Sequence, residues 1–240
     1  MNMQTLPIYL SIVFAIITLG AVSILYMASR SKAALIVIFV WLIIQTIITL
    51  TGFYSVTNTF PPRFALLIVP PLIFTAALIF SPRGKRFIAK INLKTLTWIH
   101  ILRVPVEFVL YGLFINNAIP QIMTFEGRNW DILSGISTSF IIYFAFRNGN
   151  VNRRLLLIWN IISLGLLINI VAIALNTTPF PFRSFPFIWL PCCVVPLVLF
   201  SHVVVIRRTL RHPETSGQGD KNFKPQTSNS KHQSPTLKFS

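Results

Sequence analysis

Acidic residues are nearly missing from this chain. Five of its 240 residues are Asp or Glu, against 21 Lys and Arg, for a formal net charge of +16. Charged residues of both signs make up 11%, where a soluble domain carries about 25%. With 54% hydrophobic residues, that shortage excludes an ordinary water-soluble fold. Cysteine is equally scarce: Cys192 and Cys193 are adjacent, lie in an apolar segment and read as small packing residues rather than a disulfide framework. No lysine falls inside an apolar run, which excludes a retinal-type Schiff base. The four histidines are scattered, so no zinc set is legible, and neither a glycine-rich phosphate loop nor a serine-nucleophile motif is present. The chain therefore reads as a non-enzyme with no cofactor and no metal. Its basic residues are not interleaved with aromatics on a soluble surface, so nucleic acid is not the expected partner.

What the chain has is long apolar runs. Seven of them approach or exceed the ~18 residues that suggest a membrane span: about 8–28, 34–54, 64–80, 95–116, 132–146, 155–175 and 185–206. The expected fold class is all-α: a polytopic bundle of seven transmembrane helices over residues 1–211, in contact with the lipid bilayer. The first, third and fifth connections hold ten Lys and Arg; the second, fourth and sixth hold three. The positive-inside rule then puts the N-terminus outside and the C-terminus in the cytoplasm. Trp41, Trp98, Trp130, Trp159 and Trp189 mostly fall near predicted helix ends, as an interfacial belt requires. Residues 212–240, rich in Ser, Gln, Asn, Lys and Pro, read as a disordered basic tail whose charges lie against anionic lipid headgroups.

The fourth run is the exceptional one. It holds an acid, and it pairs opposite charges, which no other run does. At ~100° per residue His100, Arg103, Glu107 and Tyr111 fall within an arc of roughly 80°. A carboxylate at that depth must be paired, protonated or in water, and Arg103 at i−4 is the local partner for Glu107. These four residues form a candidate polar or transport site. A second candidate lies in the following outer connection, 117–131, which carries Glu126, Arg128, Asn129 and Asp131. There Pro120 is placed to open a short helix and Asp131 to cap the fifth span. The small polar start of that span, Ser134-Gly-Ile-Ser-Thr-Ser139, favours close helix approach. Pro70-Pro71, Pro105, Pro186, Pro191 and Pro196 are expected to interrupt helices and free carbonyls.

A weak internal repeat runs through the chain. Tyr26-Met-Ala-Ser-Arg30 matches Tyr143-Phe-Ala-Phe-Arg147, Trp41-Leu-Ile-Ile44 matches Trp159-Asn-Ile-Ile162, and Phe60-Pro-Pro-Arg63 matches Phe180-Pro-Phe-Arg183. Pro70 then falls near Pro191, so the offsets are 117, 118, 120 and 121 residues. This aligns spans one to three with spans five to seven as a parallel 3+1+3 repeat, a known transporter plan. In helix count, orientation and length the plan resembles the sugar-efflux proteins of the SWEET type and their PQ-loop relatives. The Pro120-Gln121 pair stands in the outer connection, whereas the PQ-loop pair belongs inside the first helix of a triplet, so no site or substrate is carried over. A second resemblance rests on Met123-Thr-Phe-Glu-Gly-Arg-Asn-Trp-Asp-Ile-Leu-Ser-Gly-Ile136 with the preceding His100/Arg103/Glu107 helix. These segments are similar to blocks in uncharacterised bacterial multi-pass proteins, which implies a bacterial inner membrane and brings no activity.

Two functions remain open from sequence. One is a small-molecule or ion transporter with its site on the fourth helix. The other is a non-catalytic sensor or interaction protein that binds through the outer connection and relays through the tail.

Overall fold

The computed structural model describes residues 6–56, 59–147, 151–177 and 182–211. The tail from His212, and part of the Phe180–Arg183 repeat match, lie outside the described residues. Within them the regular structure is helical: α1 (Ile8–Ser29), α2 (Lys32–Leu50), α3 (Ala65–Phe80), α4 (Pro82–Lys90), α5 (Leu93–Thr97), α6 (Arg103–Ile115), α7 (Ile132–Ala145), α8 (Arg153–Asn176) and α9 (Val195–Arg211). A 3-10 segment, Trp98–Leu102, joins α5 and α6 into one 23-residue rod, Leu93–Ile115. A π-helical turn, Leu190–Val194, runs directly into α9.

Local chemistry sets the ends. Arg30 adopts a left-handed conformation (φ 53°) and its N–H donates to Tyr26 O, closing α1. Ser31, Asn92 and Asn152 then cap α2, α5 and α8 by accepting from Ala34 N, Thr95 N and Leu155 N. The basic stretch after α3, expected to be a loop, is instead the amphipathic helix α4. Ser81 Oγ accepts from Gly84 N at 3.0 Å and Pro82 occupies the first turn, so the chain restarts at 88° to α3. Near its far end Ile88 and Ile91 are buried while Lys85, Arg86 and Lys90 are exposed.

Among the described residues five helices are long and apolar enough to cross a membrane: Ile8–Ser29, Lys32–Leu50, Leu93–Ile115, Arg153–Asn176 and Leu190–Leu210. Counting the bent pair α3 and α4 as one makes six. The expected fifth span, α7, is apolar but only 14 residues long. At 1.5 Å per residue it covers ~21 Å, less than the ~30 Å of a bilayer core. Outer faces are as apolar as inner ones: Ile16, Ile36, Ile43, Phe140 and Ile158 are all exposed. Helices apolar all round belong in the core of a large protein or in lipid.

The rod Leu93–Ile115 lies between α1 and α7, and α8 packs along α9. Its prolines behave differently from one another. Pro105 has no N–H to offer Ile101, and the turn before it tightens to 3-10. Pro70 and Pro71 stay within a continuous α3. Pro196 leaves Cys192 O without its in-helix donor, and the Trp41 indole N–H from α2 takes that carbonyl at 2.9 Å. In return Trp189 Nε1 donates to Thr46 Oγ1 on α2 at 3.0 Å. The end of α2 is closed by Tyr54, whose phenol donates to Gln45 Oε1 at 2.6 Å; burial lifts that phenol to about 12, so it stays a donor. Between α2 and α3 remains an apolar cavity of about 300 Å³, lined by Trp41, Pro70, Pro71, Phe74, Cys192 and Cys193 among others.

The residues matched by the repeat make different contacts. Trp41 reaches across to the head of α9, whereas Trp159 donates to Ser137 on its sequence neighbour α7. Likewise α8 lies along α9, while the cavity holds α2 and α3 apart.

Candidate functional site

A buried polar cluster sits where the rod meets α7, α8 and α9. Arg103 is its centre, with 3% of its surface exposed. Its Nε faces Asp131 Oδ2 at 3.1 Å, its first terminal nitrogen donates to Ser163 O (3.2 Å) and Oγ (2.5 Å), and its second meets His202 Nε2 at 3.3 Å. A guanidinium can only donate. His202 Nε2 is therefore the acceptor, and Nδ1 carries the ring proton toward Asn160 Oδ1 at 3.0 Å. Below it, Ser201 Oγ donates to Val198 O at 2.9 Å and lies 2.8 Å from His100 Nε2. One hydroxyl has one proton, so His100 Nε2–H donates to Ser201 and His100 Nδ1 is left bare. The two imidazoles lie 4.4 Å apart, and Trp159 closes the far face of His100 edge-on at 5.2 Å.

Glu107 does not pair with Arg103 as its i+4 spacing suggests. Asn129 Nδ2 donates to Glu107 Oε1 and also to Met123 O at 3.0 Å. Asp131 takes the guanidinium instead. That also corrects the expected capping role: Asp131 stands just before α7 but makes no side-chain cap, because its carboxylate is turned to Arg103. A full charge is a far better partner for a buried carboxylate than one backbone N–H.

These contacts draw the connection 117–131 inward. Glu107 lies eight residues before the end of α6, ~12 Å down the rod. Met123, Thr124 and Asn129 are fully buried against it, and Asn169 on α8 holds Arg128 O at 2.8 Å. The start of α7 is thus level with the middle of the rod. Its close approach there needs Gly135: a Cβ at this position would come 2.6 Å from Val104 Cγ2 and 2.9 Å from Val104 N.

Five of the eight expected site residues come together: His100, Arg103, Glu107, Asn129 and Asp131. The other three do not join them. Tyr111 is half-buried, with its ring 5.1 Å from that of Phe125. Glu126 and Arg128 are exposed. The residues missing from the sequence reading are Asn160, Ser163, Ser201 and His202. Their signal was present as paired polar residues inside otherwise apolar runs, one helical turn apart in α8 and adjacent in α9.

The cluster is incompletely satisfied. Glu107 Oε2, Asp131 Oδ1, Ser134 Oγ, His100 Nδ1 and Asn160 Nδ2 are buried without a hydrogen-bond partner among the described residues. A cavity of about 50 Å³ abuts it, lined by Arg103, Glu107 and Asp131 on one side and by Ala21, Leu167 and Val194 on the other. It is wide enough for a water or a small ion. The space can hold a small polar or charged species; among the described residues no three His, Cys, Asp or Glu side chains gather at metal-binding geometry.

No curated protein and no solved structure matches this chain significantly. A family model described as "Domain of unknown function (DUF8737)" matches residues 59–210, which takes in α3 to α9 and every member of the polar cluster. The chain belongs to this family of unknown function.

Proposed function

We propose that this chain is a multi-pass protein of a bacterial inner membrane and transports an ion or small polar solute through the cluster around Arg103. In this reading it has seven membrane segments, with the N-terminus outside and the C-terminus in the cytoplasm. The fifth segment is the short helix α7 together with the connection folded over its start. The basic tail lies on anionic headgroups. In this reading the protein is not an enzyme.

One observation carries the reading. Irregular backbone from 117–131 descends to the middle of the rod and delivers Asn129 and Asp131 to Glu107 and Arg103. In lipid, irregular backbone is tolerated at depth where protein buries it or water reaches it, and transporters place their sites at such breaks. The parallel 3+1+3 repeat, and with it the SWEET-like plan, adds little, since its matched tryptophans hold different neighbours.

A sensor is the second reading, favoured by the same connection. Its exposed residues Glu126 and Arg128 lie on the stretch that carries Asn129 and Asp131, so a ligand outside would act on the rod directly.

Purified protein in liposomes separates the two. Imposed Na+, K+ or proton gradients should be dissipated by the wild type and not by Arg103→Gln. Equal leak from wild type, Arg103→Gln and empty liposomes would defeat the transport reading for these ions.

A further inference from the structure

The cluster does not balance its charge. One guanidinium, Arg103, faces two carboxyls, Glu107 and Asp131, and only Asp131 is in ion-pair contact with it. The elements packed around Glu107 add no second cation among the described residues. Its cavity is closed by Ala21 from α1, Leu167 and Ile170 from α8, Leu190 and Val194 from the π-helical turn, and Val195 and Val198 from α9. His100 and His202 turn their hydrogen-bonding nitrogens to Ser201, Asn160 and Arg103, not to Glu107. Glu107 is 1% exposed, its Oε2 has no partner, and the residue lines the cavity. Asp131, whose Oδ1 is likewise unpartnered, lines the same cavity.

An uncompensated carboxylate at this burial is too costly to persist. A single positive charge, placed in the small cavity lined by these two carboxyls, each with one unpartnered oxygen, neutralises the set. We infer that Glu107 and Asp131 form a binding site for one exchangeable monovalent cation, a proton or a sodium ion, in the cavity beside Arg103. With a proton, taken from water, Glu107 Oε2 becomes an O–H donor toward the cavity or Asp131. With sodium, both free carboxyl oxygens become ligands, and the cavity has room for a water to complete the shell. Either way Asn129 keeps Glu107 oriented through its other oxygen. This rests on the transport reading only for its purpose, since the charge count stands without it.

The test uses the purified full chain in nanodiscs, with two readouts. Difference infrared spectra between neutral and alkaline pH report a carboxylic C=O stretch. Thermal midpoints in NaCl against choline chloride at equal ionic strength report sodium binding, because a ligand of the folded state raises the midpoint with its concentration. A carboxylic band that titrates in the wild type and in Glu126→Gln, and vanishes in Glu107→Gln, identifies the proton. No band, but a midpoint that climbs with sodium in wild type and not in Glu107→Gln or Asp131→Asn, identifies sodium. If the variants do not fold, the wild type alone decides through the same two signals. Absence of both signals overturns the inference, and so does a band that survives in folded Glu107→Gln and Asp131→Asn. A chain that binds the cation and moves nothing across liposomes defeats only the transport reading. A chain that moves solute with neither signal defeats only this one.

Discussion

Trp41 Nε1 and Cys192 O meet at 2.9 Å across 151 residues of sequence, and Pro196, four residues on, has no N–H to compete for that carbonyl. In an α-helix the N–H of residue 196 would donate to the carbonyl of residue 192. Proline has none, so the carbonyl is open to the indole from α2.

That substitution of partners gives a double-mutant cycle. Trp41→Phe in the native background should cost about 1 kcal/mol beyond the packing change, the net worth of one buried hydrogen bond. In a Pro196→Ala background the in-helix donor returns, and the same change should cost measurably less. Thermal or denaturant unfolding of the four proteins measures the coupling; additive losses would mean the indole contributes by packing alone.

Asp131→Ala should be among the most damaging single changes. It strands Arg103 among Ser163, His202 and the cavity, and removing one partner of a buried pair costs about 3–5 kcal/mol. Replacing both, Arg103→Met with Asp131→Leu, should recover much of the folded yield while abolishing any transport. Membrane abundance and flux, scored together, check both halves.

Gly135→Leu should prevent α7 from docking, because the added side chain meets the backbone of Val104, which cannot swing away. Gly165→Leu on α8 is the control: nothing lies within 4 Å of a Cβ there. Folded yield should fall for the first and hold for the second. Equal yields would place α7 further from the rod.

Topology reporters should be active outside at Ser55 and Gly127, and inside at Gly84, Gly149 and Ser240. An outside signal at Gly84 or Ser240 would invert the proposed orientation.

Much of the scaffold was legible because apolar runs and charged turns are local signals. Seven apolar segments were placed to within a few residues, except where α9 was expected to begin at Phe185 and the regular helix instead opens at Leu190. Helix α4 was hidden because a dense basic stretch looks like a loop until Ser81 and Pro82 are read as a helix start. The stripe on the rod was legible through helical spacing, and Arg103 and Glu107 are both buried. Their partners were not. Spacing along one helix favoured Arg103 with Glu107, whereas Asp131 and Asn129 win by coming from a connection 28 and 22 residues away from their respective partners. Nothing local in Ser201-His202 or Asn160 reveals that α8 and α9 turn those faces inward. That depends on three-body packing, which one sequence does not display.

The deep start of α7 bears on how the chain is made. A helix of fourteen residues is too short to leave the translocon unaided. The connection before them carries backbone polar groups that lipid will not accept bare. Its cover comes from α6, already synthesised, and from α8, still inside the ribosome when α7 emerges. The hairpin of α6 and α7 must therefore wait at the membrane's edge until Asn169 arrives to take Arg128 O. A nascent chain arrested before α8 would leave that segment open to a water-soluble thiol reagent at an introduced Asn129→Cys, and release of the full chain would close it.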